Sequence, residues 1–221
     1  MNWTDAILHV IDFEGSKASG ILEYGLVTVK SGTIGETRTR LCRPTGRIRE
    51  EDLRTHGIRR EEAVVHEPFS AEWALFSGLR QTGPFAAHFA SVENSLIKSV
   101  WPYPRASPDF TGIGEATADW GPWVDTGRLV PRLFEGIPGA GLSELIDVFG
   151  CRDYLDDLAR EHCPPERGSY HCALYDALAS ALLLLKVGEY PQFRDRSLAW
   201  LLEMSAGSGE KSEALRQRRL F

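Results

Sequence analysis

The chain has no excess of positive charge: its 221 residues include 25 Lys and Arg against 31 Asp and Glu, a formal net charge of −6. This balance excludes a protein that coats nucleic acid or an anionic membrane through bulk charge. Long hydrophobic runs are also lacking, and the longest, 177–185, is far too short to cross a bilayer. We therefore expect no membrane-spanning segment.

Cysteine is scarce, and no two of the four cysteines form a CxxC pair. The first five residues carry no basic segment ahead of the apolar run that follows, so the sequence predicts no secretory signal. Cysteines in a leaderless chain are expected to stay reduced. These observations predict a cytoplasmic protein with free thiols at Cys42, Cys151, Cys163 and Cys172.

The order of the hydrophobic patterns predicts one domain built around a mixed sheet. Strands are predicted over 6–11, 21–30 and 33–42, with a turn at Ser31-Gly32, and a short buried strand over 84–88. Helices are predicted over 70–81 and 91–100, capped by Ser70 and Ser91, and helical patterns dominate after 127. The charged segment 43–67 is predicted to be irregular. We therefore expect an α/β or α+β domain over 1–204, followed by a flexible linker and tail over 205–221.

Two carboxylates in the first strand carry the clearest chemical signal. Asp12 and Glu14 are separated by one residue, so they project from the same face of the strand. Two unpaired anions there repel each other and lose hydration, and a divalent cation would compensate both effects. Carboxylate ligands favour Mg²⁺ or Mn²⁺. The alternative is a strand that simply ends in solvated acids.

Two later segments add further candidates for the same site. Glu93 lies in the first turn of the helix that follows the buried strand 84–88. Asp176 lies early in an apolar helix, among the small residues Ala173, Ala177 and Ser180. His171 precedes that helix, on a lip near the same site, where a histidine can take a proton from water at neutral pH.

These three segments resemble the exonuclease motifs of the DEDDh 3′→5′ exonucleases, the DnaQ-like group that includes the proofreading epsilon subunit of bacterial DNA polymerase III. The resemblance spans about residues 6–185, and the segment from His171 to Ala177 is its most specific part. Secondary signatures are Glu23 in the second strand, the segment from Thr55 to Ile58, and Asp125-Thr126.

The resemblance implies a ribonuclease-H-like mixed central sheet flanked by helices. It implies hydrolysis of the 3′-terminal phosphodiester of single-stranded or frayed DNA, releasing nucleoside 5′-monophosphates with two Mg²⁺ or Mn²⁺ ions per site. His171 corresponds to the general base. The metal ligands correspond to Asp12, Glu14, Asp176 and, at the second motif, Glu93.

Three departures bear on these roles. Glu93 stands where the family has Asp, Phe89 stands where Asn is usual, and Gly15 stands where Thr is common. An exonuclease-fold binding module with weakened catalysis is therefore one alternative, and a 3′→5′ exoribonuclease on the same site is another. A Glu is one methylene longer than an Asp and could reach the same ions with a different rotamer.

Substrate contacts are predicted at Phe13, Gly15 and His88, with Gly15 offering its backbone N–H to the terminal 3′-OH. Core packing is nevertheless the default interpretation for Phe13, and a structural role is the favoured one for His88. The arginines between 38 and 49 could grip phosphates, but the acids at 50–52 favour a solvated edge. The aromatic loop 101–123 could stack on bases, although packing onto the domain is favoured.

The chain ends in Gln217-Arg218-Arg219-Leu220-Phe221 after the Gly/Ser-rich linker. This segment resembles the pentapeptide by which bacterial replication proteins bind the sliding clamp. The resemblance places Gln217, Leu220 and Phe221 in a hydrophobic pocket of that partner. A frayed amphipathic end is the alternative.

Overall fold

The computed structural model describes residues 2–112 and 114–207, which form a five-stranded mixed sheet flanked by helices. Three long antiparallel strands, β1 (Ile7–Ser16), β2 (Gly20–Lys30) and β3 (Thr33–Leu41), make up one side of it. Two short strands, β4 (Phe85–Ala87) and β7 (Val124–Asp125), continue the sheet parallel to β1. The strand order is β3-β2-β1-β4-β7. A separate two-stranded hairpin consists of β5 (Ser107–Pro108) and β6 (Ala116–Thr117).

The α-helices in the described ranges are α1 (Glu50–His56), α2 (Arg60–Ala63), α3 (Trp73–Thr82), α4 (Ser91–Val100), α5 (Thr126–Leu133), α6 (Leu142–Val148), α7 (Arg152–His162), α8 (Ala173–Glu189), α9 (Pro191–Arg194) and α10 (Leu198–Ser205). Short 3₁₀ turns cover Trp3–Asp5, Phe69–Glu72 and Pro165–Arg167. The predicted fold class, a mixed central sheet flanked by helices, is confirmed.

The sheet separates two hydrophobic cores, because successive β1 side chains alternate between its faces. Leu8 and Val10 pack in one core with α5 and α8. Ile11 and Phe13 pack in the other core with α3 and α4. Trp120, from the loop 101–123, is completely buried in this second core. The loop therefore packs onto the domain, as the favoured interpretation of its aromatic residues predicts.

The predicted hairpin turn is present, since Ser31 and Gly32 both have positive φ, 51° and 71°. Two predicted caps are wrong. Ser70 lies inside a 3₁₀ turn anchored by the buried Phe69, and α3 begins only at Trp73. Ser91 is the first residue of α4, so the cap position falls on Ala90.

The segment 43–67 is less irregular than predicted, because α1 and α2 form within it. Three acids in the first turn of α1 favour its positive end. Gly57, in the left-handed conformation at φ 71°, ends this helix. Charged side chains at the helix ends thus stabilise helical structure in a segment that has little apolar periodicity.

The last helix, α10, ends at Ser205, next to the predicted domain boundary. Arg132 of α5 donates hydrogen bonds to the carbonyl oxygens of Met204 and Ala206, at 2.7 and 2.5 Å. The predicted tail residues Gln217, Leu220 and Phe221 lie outside the described residues. In the described ranges, no helix combines the length and hydropathy that crossing a membrane would require.

Candidate active site

Asp12 and Glu14 lie within β1, which continues past them to Ser16. They share the face of β1 that carries Leu8 and Val10, as the two-residue spacing predicts. Asp12 is partly buried and Glu14 is 9% exposed. The sheet therefore holds two carboxylates largely away from water.

A break in the β1–β2 register follows directly after Glu14. Gly15 has φ 128°, and a Cβ at this position would lie 2.3 Å from the carbonyl oxygen of Gly20. Only glycine fits such a bulge without moving the backbone. This explains the Gly in place of Thr, and the contact of its N–H with a terminal 3′-OH stays a prediction.

The other two acids reach the site from helices. Glu93 lies in the first turn of α4 and is 5% exposed, and Asp176 lies in the first turn of α8 and is 8% exposed. Ligand atoms of Glu14, His171 and Asp176 all lie within 4.8 Å of one another. These atoms come from two distant segments of the chain, and the carboxylates of Asp12 and Glu93 lie near enough to interact electrostatically with the same acids.

His171 stands on the exposed lip predicted for it. Its φ of 63° is unusual for a residue other than glycine, and its backbone N–H donates to Asp176 Oδ2 at 3.0 Å. This hydrogen bond holds the turn that presents the imidazole next to the acids. Backbone strain of this kind concentrates at functional sites.

The environment of the cluster strongly disfavours four negative charges. Burial, reinforced by Asp176 and Glu23, raises the pKa of Glu14 to about 8. Burial also raises the pKa of Asp176 to about 7, against a hydrogen bond from the His171 N–H that lowers it. The pKa values of Asp12 and Glu93 are raised as well, first by burial and then by the neighbouring carboxylates.

Two oxygens of the cluster are buried without a hydrogen-bond partner among the described residues, Glu93 Oε2 and Asp176 Oδ1. Buried polar atoms in native proteins are almost always satisfied, so such a pair calls for an explanation. A divalent cation would satisfy both oxygens and offset the mutual repulsion of the acids. The donor set, all carboxylate oxygens with one imidazole nearby, fits Mg²⁺ or Mn²⁺.

A buried ion pair supports the cluster from behind. Glu23 of β2 is 2% exposed and accepts hydrogen bonds from Arg167 Nε at 3.1 Å and from the Ala173 N–H at 2.9 Å. Arg167 also donates to the carbonyl oxygen of His56 at 2.8 Å. The pair therefore ties α1, β2 and the first residue of α8 to the loop that carries His171.

Arg167 was not identified from the sequence. Its pairing with Glu23 joins residues 144 positions apart, and no local pattern indicates it. Glu23 was noted only as a secondary signature. A buried acid on a central strand does, however, require a partner, and that requirement is the signal that would have led to an arginine near the third motif.

Gly25 of β2 lets α8 approach the sheet very closely. A Cβ at this position would lie 2.1 Å from the carbonyl oxygen of Ala173 and 2.4 Å from the N of Leu174. The first turn of α8, which carries Asp176, thus rests directly on the β2 backbone. This contact fixes the depth at which Asp176 enters the cluster.

The predicted substrate contacts at Phe13 and His88 are not supported by their side-chain positions. Phe13 is 5% exposed and packs edge-to-face against Phe69, at 5.2 Å between ring centroids, on the sheet face opposite the acids. This position agrees with the core-packing interpretation of Phe13. Both ring nitrogens of His88 make polar contacts. Nδ1 contacts Thr126 Oγ1 at 3.0 Å, and Nε2 contacts the Ala140 carbonyl oxygen at 2.7 Å.

The arginines of the edge strand and the following segment are paired with nearby acids. Arg40 contacts Glu72 at 2.7 Å, and Arg43 contacts Glu67 at 3.4 Å. Arg38 and Arg49 pair with their own neighbours in sequence. These contacts favour the interpretation of the segment as a solvated edge.

No family model and no curated relative matches the sequence. Solved structures do match. Exonuclease X in complex with 5′ overhanging duplex DNA is 23% identical and aligns over 88% of this chain and 99% of its own, with a TM-score of 0.61. E. coli Exonuclease I in complex with a dT13 oligonucleotide is 14% identical over 83% of this chain and 41% of its own, with a TM-score of 0.58.

A third structure, a 3′-exonuclease recognising the 3′ end of a histone mRNA stem-loop, is 13% identical over 83% of this chain and 81% of its own, with a TM-score of 0.59. The chain shares the fold of 3′-exonucleases. The likeness extends over most of the described domain, so the ribonuclease-H-like architecture implied by the sequence motifs is confirmed.

Proposed function

We propose that the protein is a metal-dependent 3′→5′ exonuclease that hydrolyses the terminal phosphodiester of single-stranded or frayed DNA and releases nucleoside 5′-monophosphates. One observation carries the proposal. Ligand atoms of Glu14, Asp176 and His171 lie within 4.8 Å of one another, the carboxylates of Asp12 and Glu93 interact electrostatically with these acids, and two buried oxygens of the set, Glu93 Oε2 and Asp176 Oδ1, lack partners among the described residues. An arrangement this unfavourable without a cation is typical of a metal site and not of a structural core.

In this proposal the carboxylates of Asp12, Glu14, Glu93 and Asp176 hold two Mg²⁺ or Mn²⁺ ions. When bound, such ions activate the attacking water and stabilise the charge on the leaving 3′ oxygen. His171, exposed and fixed through its backbone N–H, accepts the proton of that water. The Glu23–Arg167 pair keeps the loop that carries His171 in place.

Glu93 takes part in the cluster although it departs from the family pattern. The neighbouring Phe13 backbone partly offsets the rise in the Glu93 pKa, while Oε2 is buried without a partner among the described residues. The Glu93 carboxylate thus lies close to β1 and offers one unpartnered oxygen to a cation. This arrangement supports an active enzyme over a binding module that has lost the second motif.

The test is digestion of a 5′-labelled single-stranded DNA oligomer with Mg²⁺ or Mn²⁺, comparing the wild type with Asp12→Asn and His171→Ala. We expect a ladder that shortens from the 3′ end, nucleoside monophosphates as products, and no cleavage in EDTA. His171→Ala should lose at least about 100-fold in kcat, since removing a general acid or base costs about 10²–10⁴-fold. Asp12→Asn should lose activity as well, because it removes a carboxylate ligand of the proposed ions. His66→Ala is the matched control, because His66 is a half-buried histidine outside the cluster.

Equal cleavage by the wild type, Asp12→Asn and His171→Ala would show that a contaminant or another site is responsible. Isothermal titration with Mg²⁺ and Mn²⁺ distinguishes the proposed enzyme from the binding-module alternative, which predicts no binding of either ion at millimolar concentration. A matched RNA oligomer decides between DNA and RNA, and faster cleavage of RNA would replace DNA in the proposal.

Docking on a bacterial sliding clamp through Gln217, Leu220 and Phe221 stays a prediction. A peptide covering 213–221 should bind the purified clamp, and the same peptide with Leu220→Ala and Phe221→Ala should not. Equal binding by both peptides would remove the clamp from the proposal.

A further inference from the structure

Phe89 combines two unfavourable features at one position. It is 42% exposed, which is unusual for a large aromatic side chain, and its φ is 56°, in the left-handed region that phenylalanine rarely adopts. The strained backbone is held by the Asp125 side chain, whose Oδ1 accepts the Phe89 N–H at 3.1 Å. Asp125 also caps α5 through the Arg128 N–H at 3.2 Å, so Phe89 is fixed to a rigid helix start.

The ring of Phe89 packs into a site formed by the backbone at Gly127 and the ring of His88, here called the seat. A Cβ on Gly127 would lie 2.8–3.1 Å from three atoms of the ring, so the ring rests closely against the backbone of α5 at this glycine. His88 packs against the same ring at 4.6 Å between centroids and an angle of 63°. Because both nitrogens of His88 are engaged, the support is itself immobile.

The seat lies beside the acid cluster. In the parallel β1–β4 register Val10 pairs with Ala86, so β4 ends at Ala87 beside the part of β1 that leads into Asp12, and Phe89 follows two residues after that end. The helix under the ring, α5, packs in the core of Leu8 and Val10, on the face of β1 that also carries Asp12 and Glu14. Val92, 54% exposed, follows one turn later, directly before Glu93.

We propose that Phe89, with Val92 beside it, is a stacking platform for an unpaired nucleobase near the 3′ end of the substrate. The inference rests on the proposed function and adds a specificity. The platform selects strands whose terminal bases are not paired with a partner strand. A flat, immobile, exposed aromatic ring offers its face to any base, so the platform favours single strands without reading their sequence. The strain and exposure at Phe89 are thereby explained by binding.

The decisive variant is Phe89→Asn, because asparagine accepts the left-handed backbone and removes the ring without straining the fold. Stacking is worth about 1–3 kcal/mol per base, so KM for a dT oligomer should rise about 5- to 160-fold, with kcat changed less than about threefold. Phe89→Trp should keep KM within about threefold of the wild type. Tyr103→Ala, which removes another exposed aromatic ring, is the matched control and should leave KM unchanged.

A dT oligomer with abasic residues at its last two positions gives the sharper comparison. The wild type should bind it as weakly as Phe89→Asn binds either oligomer, because no base remains to stack. An unchanged KM for Phe89→Asn would overturn the platform. So would a rise in KM of this variant that is equal for the intact dT oligomer and the abasic oligomer.

Fluorescence anisotropy of the labelled oligomers in Ca²⁺ or EDTA measures binding without cleavage. Weaker binding by Phe89→Asn supports the platform even if the wild type cleaves no strand, in which case only the proposed activity fails. Cleavage together with equal anisotropy for wild type and Phe89→Asn refutes the platform and leaves the activity standing.

Discussion

Replacing Arg167 with Met tests the ion pair that supports the site. The side chains of Arg167 and Glu23 are 15% and 2% exposed, so losing the guanidinium leaves a carboxylate enclosed by protein. Removing one partner of a buried pair costs about 3–5 kcal/mol. Methionine keeps most of the apolar stem of arginine, so the loss is mainly electrostatic.

The magnitude falls at the lower end of that range. In the variant Glu23 retains the Ala173 N–H at 2.9 Å, which still stabilises its charge, while the hydrogen bond from Arg167 to the His56 carbonyl is lost. We expect a loss of about 3 kcal/mol in the free energy of unfolding. For a chain of this length that corresponds to a fall in Tm of about 6–12 °C.

Urea denaturation followed by tryptophan fluorescence measures this loss, with Arg160→Met as the control. Arg160 pairs with Asp157 on the surface, where the two side chains are 72% and 63% exposed. A surface pair of this kind is worth less than about 1 kcal/mol, so the control should unfold almost like the wild type.

A double variant isolates the cause of the loss. Adding Glu23→Gln to Arg167→Met removes the uncompensated charge and should recover part of the lost stability. Equal stability of Arg167→Met and Arg160→Met, or a double variant no more stable than Arg167→Met alone, would refute the reasoning.

Two further predictions concern the acid cluster and its support. A carboxyl whose folded-state pKa is raised stabilises the fold below its unfolded pKa, and this stability is lost as the pH rises through the folded value. With pKa values of about 8 for Glu14 and about 7 for Asp176, the protein in EDTA should lose Tm progressively from about pH 4 to 8, and millimolar Mg²⁺ should restore more Tm at pH 8 than at pH 6. A Tm in EDTA that is flat over this range would contradict the assigned shifts. Gly25→Ala should destabilise by about 3 kcal/mol or more, since its Cβ would meet the Ala173 carbonyl at 2.1 Å, whereas Gly78→Ala, with nothing within 4 Å, should not. Equal melting of the two alanine variants would show that α8 can shift freely.

The sequence indicates the site residues where the signal is local. Asp12 and Glu14 follow from strand alternation, and Asp176 follows from its place among small residues of an apolar helix. The fold class follows from the order of strand and helix patterns, and the structure confirms it. The site inferences each depend on residues within one segment, whereas the fold class depends only on the order of local patterns along the chain.

Features set by distant contacts were missed. Arg167 acquires its role only when β2 lies under the third motif, and the packing partner of Phe13, Phe69, lies far from it in the sequence. The helices α1 and α2 carry charged residues with little apolar periodicity, which hides them from pattern reasoning. Tertiary packing, absent from any local window, decides such cases.

The distribution of the four acids along the chain has a consequence for the cell. β1 supplies two of them, α4 the third and α8 the last, so the cluster forms only after the chain has been synthesised past Asp176 and has closed around the sheet. A growing or partly unfolded chain would hold the acids apart and would leave nearby nucleic acid intact. The proposed hydrolysis would then depend on completed folding, and its loss in denaturant should coincide with the loss of the sheet itself.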